Sequence, residues 1–257
     1  MLIRLGGLDT YYTDEGSGDP VVLLHGWGAS SQSFAGLCAE LAKTFRVLTP
    51  DLAGFGWSQP PPEAWGTEEY ARHVRRWLAA VGVEVAAFVG HSFGGRIAIR
   101  LASGQRGLVS RLALVAGAGL RPRRGPRHHA RVAATKLVKW LFSLPGWGET
   151  GRRLIAKRLE RTGSRDYRAA GRMRPTLVRV VNEDLTGLLP AIQAPTLILW
   201  GDRDREVPKS AMEIMHAKIA HSRLVVIEGA GHFPFLDAPE EFGRRLTAFL
   251  SISSASS

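Results

Sequence analysis

Short apolar runs bounded by turn residues recur along this chain, and most are separated by stretches whose apolar residues return at helical spacing. The runs at 21–24, 46–49, 85–89, 112–115, 196–200 and 224–227 predict six strands. Helix-length patterns at 33–42, 68–81, 95–102 and 209–219 fall between most of them. The run VAAFV at 85–89 has no polar residue, as a central parallel strand buried on both faces requires. Strand and helix in alternation predict the α/β class, a mostly parallel doubly wound sheet with helices on both faces. One interval breaks the rhythm. Between about 120 and 189, some 70 residues separate the fourth and fifth runs, far more than one crossover needs. That interval carries helical patterns of its own at 130–142, 152–161 and 176–182. The expectation is a core built from 1–120 and 184–257, with 121–183 inserted as a helical cap over the carboxyl edge of the sheet.

Composition narrows the class without naming a chemistry. A chain of 257 residues, 45% hydrophobic and 22% charged, can bury one sizeable core. No apolar run approaches the roughly 20 residues that span a bilayer, and the start MLIRLG lacks the zones of a signal peptide. A soluble, cytoplasmic protein with no membrane span is therefore expected. The single cysteine, Cys38, cannot form an intrachain disulfide or a cysteine-based metal site by itself. The net charge of +11 raises the question of nucleic acid, so its placement matters. Residues 121–183 hold 17 Lys+Arg against 4 Asp+Glu, a net +13, while the remainder holds 17 against 19, a net −2. The basic segment lacks aromatic residues interleaved for base stacking, so no nucleic-acid partner is expected. Its charge suits an anionic or carrier-linked substrate, and suits an Arg-rich solvated face equally well.

The chemistry begins at FVGHSFGG, residues 88–95, where a buried run turns abruptly into a helical pattern. A turn needs glycine but no hydroxyl, yet Ser92 stands at its apex. Gly90-His91-Ser92-Phe93-Gly94 fits the G-x-S-x-G nucleophile elbow, in the strand–turn–helix context the motif demands. A serine hydroxyl is a poor nucleophile unless a base takes its proton and a third group orients that base. In an open α/β sheet these partners must lie just after the carboxyl ends of strands. His216 lies inside a helical pattern and His221 precedes a strand, both at the wrong end. His91 points away if Ser92 holds the apex, His128 and His129 fall in the basic segment, and His25 reads as a partner of nearby backbone. His232, after LVVIEGAG, arrives at the correct edge. For the acid, GDRDR after the fifth run offers Asp202 and Asp204, and residue chemistry alone barely separates them.

These blocks resemble the α/β-hydrolase superfamily with a helical cap, over nearly the whole chain. HGWG at 25–28 and GHSFGG at 90–95 resemble esterases, carbon–carbon bond hydrolases of aromatic degradation and the pimeloyl-carrier-protein methyl esterases. The resemblance implies the order Ser92, acid, His232. LILWGDRDREVP resembles the pattern W-G-x-x-D, whose final aspartate maps to Asp204, and GHFPFLDAPEEF resembles the catalytic-histidine block. It also implies an oxyanion hole from the backbone N–H groups of Trp27 and Phe93. Trp27 and Phe233 are the aromatic residues expected to line the substrate pocket, and Asp51 in DLAGFGWS reads as a structural turn residue. Ser92 departs from the aspartate nucleophile of haloalkane dehalogenases. The basic segment aligns with no characterised subgroup; its end, GRMRPTLVRVVNEDL, is similar to hydrolases whose substrates are unassigned.

The function this implies is hydrolysis of a carboxylic ester through an acyl-serine intermediate, with no metal or organic cofactor. The alternative enzyme is a carbon–carbon hydrolase of a vinylogous diketone, the meta-cleavage product type, using the same residues. A further alternative is a non-catalytic ligand receptor on the same fold.

Overall fold

The structure is a computed structural model, and it describes residues 1–104, 107–120 and 165–252. By compactness the chain divides into Met1–Arg121 with Pro175–Ser257, and Pro122–Arg174. The first unit is built on an eight-stranded sheet. Its strands are β1 (Leu2–Leu5), β2 (Leu8–Glu15), β3 (Pro20–Leu24), β4 (Arg46–Pro50), β5 (Ala86–His91), β6 (Val109–Val115), β7 (Thr196–Gly201) and β8 (Ser222–Ile227). Their order is β1-β2-β4-β3-β5-β6-β7-β8. From β4 to β8 every pairing is parallel; β1 and β2 add an antiparallel edge. All six strands expected from the apolar runs are present, and the class is the one expected. The antiparallel pair β1–β2 was not anticipated.

Side-chain alternation splits the core into two layers. Val21, Leu23, Val47, Ala87, Val89, Ala113, Val115, Leu197 and Leu199 point to one face. There they pack with Leu37 and Leu41 of α1 (Ala35–Leu41) and Phe242, Leu246 and Phe249 of a C-terminal helix. The alternate residues Val22, Leu24, Phe88, Leu112 and Leu114 are also buried. They face α2 (Thr67–Ala80) and α3 (Phe93–Gly104), whose Tyr70, Trp77, Ile97 and Ile99 are almost inaccessible to solvent. Burying a residue such as Phe88 or Ile97 contributes about 1.5–3 kcal/mol, so these layers carry most of the stabilisation.

In the second unit α4 (Arg165–Ala169) precedes a 3₁₀ turn at Gly171–Met173, and the Arg174 guanidinium stacks 4.8 Å from the Tyr167 ring centroid. Helix α5 (Arg174–Asn182) starts at the boundary. Its Leu177 and Val180 are buried, and Arg96 of α3 donates to the carbonyls of Val180 (3.0 Å) and Glu183 (3.2 Å). Glu183 accepts from the Thr67 N–H and hydroxyl and pairs with Arg100 at 3.4 Å. Residues 175–183, read from sequence as the end of the cap, thus have their partners within the first unit. The expected helices at 130–142 and 152–161 lie outside the described residues. The remaining helices are α6 (Lys209–Lys218), α7 (Pro234–Asp237) and α8 (Pro239–Leu250). No described helix is long and apolar enough to cross a membrane.

Candidate active site

Ser92 follows the last residue of β5 and precedes the first residue of α3, with φ of 48°. That left-handed conformation costs a side-chain-bearing residue about 1–2 kcal/mol, so the surroundings must hold it. The Ser92 N–H donates to the Val115 carbonyl at 3.0 Å, and the Arg96 N–H reaches the Ser92 carbonyl at 3.4 Å. Gly94 explains the sequence on the far side of the turn. A β-carbon there would overlap the Leu24 carbonyl oxygen of β3, so only glycine lets α3 approach the sheet this closely. The turn leaves the Phe93 N–H among the first amides of α3, which lack intrahelical acceptors and carry the positive end of the helix dipole.

The loops after β7 and β8 bring an acid and a histidine together. Asp204 Oδ2 lies 2.9 Å from His232 Nδ1. The Asp204 side chain is wholly inaccessible and that of His232 is 8% exposed. Asp204 Oδ1 accepts the backbone N–H groups of Glu206 (2.7 Å) and Val207 (3.0 Å). Burial alone would raise the Asp204 carboxyl, but the hydrogen bonds from His232, Val207 and Glu206 outweigh it and hold the group below the usual carboxylate range. Asp202 faces elsewhere and accepts the Gly229 N–H at 2.8 Å. It ties the two loops, as does the Arg203 N–H to the Ala230 carbonyl at 2.9 Å. Of the two aspartates, Asp204 is the one that meets His232. With Nδ1–H given to Asp204, the neutral ring keeps Nε2 as an acceptor.

No hydrogen bond joins His232 to Ser92 among the described residues. His232 Nε2 stands instead 3.3 Å from Glu206 Oε2. In sites without substrate such contacts are commonly long and tighten on binding. Nothing in the sequence pattern singled out Glu206; its place two residues beyond the acid of the W-G-x-x-D block was the available signal.

His91 is the second residue the sequence reading undervalued. It is buried, and its neutral ring donates Nε2–H to the His232 carbonyl at 2.8 Å. Burial, reinforced by the proximity of His232, lowers its pKa to about 3. It also packs against Phe233 and Phe235, with ring centroids 4.8 and 5.1 Å away. His91 therefore supports the loop that carries His232 from beneath.

Trp27 is half-buried, edge-on to Phe55 (4.8 Å) and Phe93 (5.4 Å). A β-carbon on Gly26 would lie 2.8 Å from His91 Nδ1 and 3.6 Å from the Ser92 Cβ. The HGWG segment thus lies against the elbow, and the His91 ring excludes a side chain at Gly26. Phe233 is partly exposed, its ring 5.3 Å from that of His232. His25 and Asp51 have backbone partners. His25 Nε2 accepts the Leu52 N–H (2.9 Å), and Nδ1 donates to the Gly26 carbonyl (2.8 Å). Asp51 accepts the N–H groups of Ser31 (2.6 Å) and Trp57 (2.9 Å). A groove of about 870 Å³ between α1 and α8 contains neither Ser92 nor His232, so chemistry rather than volume locates this site. Among the described residues no group of three or more His, Cys, Asp or Glu side chains is placed to hold a metal ion.

Comparison with known proteins identifies the family. The sequence profile of the alpha/beta hydrolase family matches residues 21–245. A pimeloyl-[acyl-carrier protein] methyl ester esterase of Aliivibrio salmonicida is 30% identical, over 93% of this chain and 95% of its own. A 2-hydroxymuconate semialdehyde hydrolase of a Pseudomonas species is 26% identical, over 98% of this chain and 94% of its own. Among solved structures, a bacterial membrane phospholipase A superposes with a TM-score of 0.77 at 27% identity, covering 97% of this chain and 84% of that one. With a serine at a strained strand–helix turn, and a histidine–aspartate pair at the same edge of a mostly parallel sheet, the chain is a member of the alpha/beta hydrolase family.

Proposed function

We propose that this hydrolase cleaves carboxylic esters through an acyl-serine intermediate, with Ser92, His232 and Asp204 as the catalytic residues. Ser92 Oγ attacks the ester carbonyl while His232 Nε2 takes its proton. Asp204 holds Nδ1–H and stabilises the imidazolium that forms. The tetrahedral oxyanion is bound by the N–H groups of Trp27 and Phe93. His232 then returns the proton to the departing alcohol oxygen, and water repeats the sequence to release the acid. The observation that carries this reading is the Asp204–His232 hydrogen bond at the edge where Ser92 is held at positive φ. The esterase relative from Aliivibrio salmonicida supports an ester, and its name extends the substrate class to carrier-linked acyl groups.

The semialdehyde hydrolase relative supports a second reading, carbon–carbon cleavage of a vinylogous diketone by the same residues. Turnover of p-nitrophenyl esters of graded acyl length, set beside a meta-cleavage dienone, separates the two. Ester turnover exceeding dienone turnover in kcat/KM is the expected result; the reverse ranking would overturn the ester assignment. Turnover of neither would favour a non-catalytic receptor.

A further inference from the structure

Glu206 has no role in the reaction just described, yet its carboxylate stands beside the ring nitrogen that must move the proton. Oε2 lies 3.3 Å from Nε2 of His232, the nitrogen that takes the serine proton and hands it to the leaving oxygen. Its backbone is fixed, because the Glu206 N–H donates to Asp204 Oδ1 at 2.7 Å. Its side chain is free to turn, being 62% exposed where His232 is 8%. Arg203 and Arg205 precede it in sequence, but among the described residues neither makes an ion pair with it; its ionisable partner there is His232.

The Glu206 charge is therefore unbalanced while His232 is neutral and ready to accept the serine proton. The neutral imidazole needed for catalysis turns its Nε2 lone pair toward an anionic carboxylate, which pairs with no Lys or Arg among the described residues. We propose that the substrate supplies a cation here: Glu206 is a specificity-determining residue that selects esters whose alcohol portion carries a positive charge. This rests on the ester-hydrolase reading and specifies its substrate class. The leaving oxygen must come within about 2.6–3.2 Å of Nε2 to receive its proton. A cationic group two or three bonds beyond that oxygen then falls within a few ångströms of the Glu206 carboxylate. The same placement disfavours an anionic alcohol. Because the carboxylate is exposed, the preference weakens as salt rises.

The test compares butyrylcholine with 3,3-dimethylbutyl butanoate, its neutral isostere in which carbon replaces the ammonium nitrogen. Acid release is followed for the full chain and for Glu206→Gln and Glu206→Lys, with phosphonylation of Ser92 by a fluorophosphonate confirming that each variant is folded. The readout is the ratio of the two kcat/KM values. The parent is expected to favour the cationic ester by about tenfold, equivalent to about 1.4 kcal/mol. Glu206→Gln should bring the ratio within about twofold of one, and Glu206→Lys should carry it below one. A parent ratio near one, or a ratio unchanged by both substitutions, would overturn the inference while leaving ester hydrolysis standing. Equal acceleration of both esters by Glu206→Gln would also overturn it, showing that the carboxylate acts on His232 alone. No hydrolysis of either ester and no labelling of Ser92 would sink the ester-hydrolase reading, and this inference with it.

Discussion

Asp204 Oδ2 sits 2.9 Å from His232 Nδ1, while the carboxylate of Asp202, two residues earlier, is engaged by the Gly229 N–H. The pair differs from its neighbour in partner, not in chemistry, which makes the contrast testable. Asp204→Asn presents an amide in place of the acceptor and favours the wrong imidazole tautomer, so kcat should fall on the order of 10⁴. Asp202→Asn should cost far less, because it loosens a loop contact without touching His232. Steady-state kinetics on one p-nitrophenyl ester rank the two; the opposite ranking would mean that the orienting acid is misassigned.

Most of the architecture was legible in the sequence because parallel strands buried on both faces read as continuous apolar runs, as in VAAFV and TLILW. The strands β1 and β2 escaped because LIRL and LDTYYTDE mix charges with apolar residues at an edge that is only partly buried. Their signal was the Gly6-Gly7 turn between them, where both residues have positive φ. The elbow, the histidine and the two candidate acids were likewise visible as motifs. His91 and Glu206 were not, since their importance lies in a carbonyl and a ring nitrogen brought near them only by folding.

Buried neutral histidines should make this protein acid-sensitive. Burial lowers His91 to about 3, and burial followed by the nearby Arg76 charge lowers His73 to about 4, against 6.5 in the unfolded chain. Both folded values are depressed, so below about pH 6.5 the unfolded state binds more protons. Stability is complete above that pH and falls as pH drops toward the folded values. Each histidine contributes a slope of at most about 1.4 kcal/mol per pH unit. Urea unfolding from about pH 7 to about pH 5 should show this decline, and His91→Gln should remove close to one proton of it. A stability independent of pH across that window would rule the account out.

The close approach at Gly94 and the open space at Gly243 call for opposite responses to one added methyl group. Gly94→Ala drives a β-carbon into the Leu24 backbone and should cost about 1–3 kcal/mol or more. Gly243, within α8, has nothing within 4 Å of the added carbon, so Gly243→Ala should stabilise by about 0.5–1 kcal/mol through helix propensity. Denaturant midpoints decide it, and equal effects at the two positions would contradict the packing described for the elbow.

Backbone strain at Ser92 predicts a trade of stability against activity. Ser92→Gly relieves a φ of 48° that a side chain tolerates poorly. After the extra chain entropy of glycine is subtracted, a net gain of about 0.5–1 kcal/mol over Ser92→Ala should remain. Thermal unfolding of the two variants side by side gives the answer; an alanine variant as stable as the glycine variant would show that the turn is unstrained.

The central claim is that Ser92 is the nucleophile, and the most direct measurement is the rate of p-nitrophenyl ester hydrolysis by Ser92→Ala, read beside the site of fluorophosphonate attachment in the parent chain. The substitution removes one hydroxyl and leaves the Val115 and Arg96 backbone contacts in place, so the fold should persist. Turnover should fall by about 10³ or more toward the residual rate left by binding and the oxyanion hole, and the label should map to Ser92. Turnover within tenfold of the parent, or a label carried by another residue, would contradict the account.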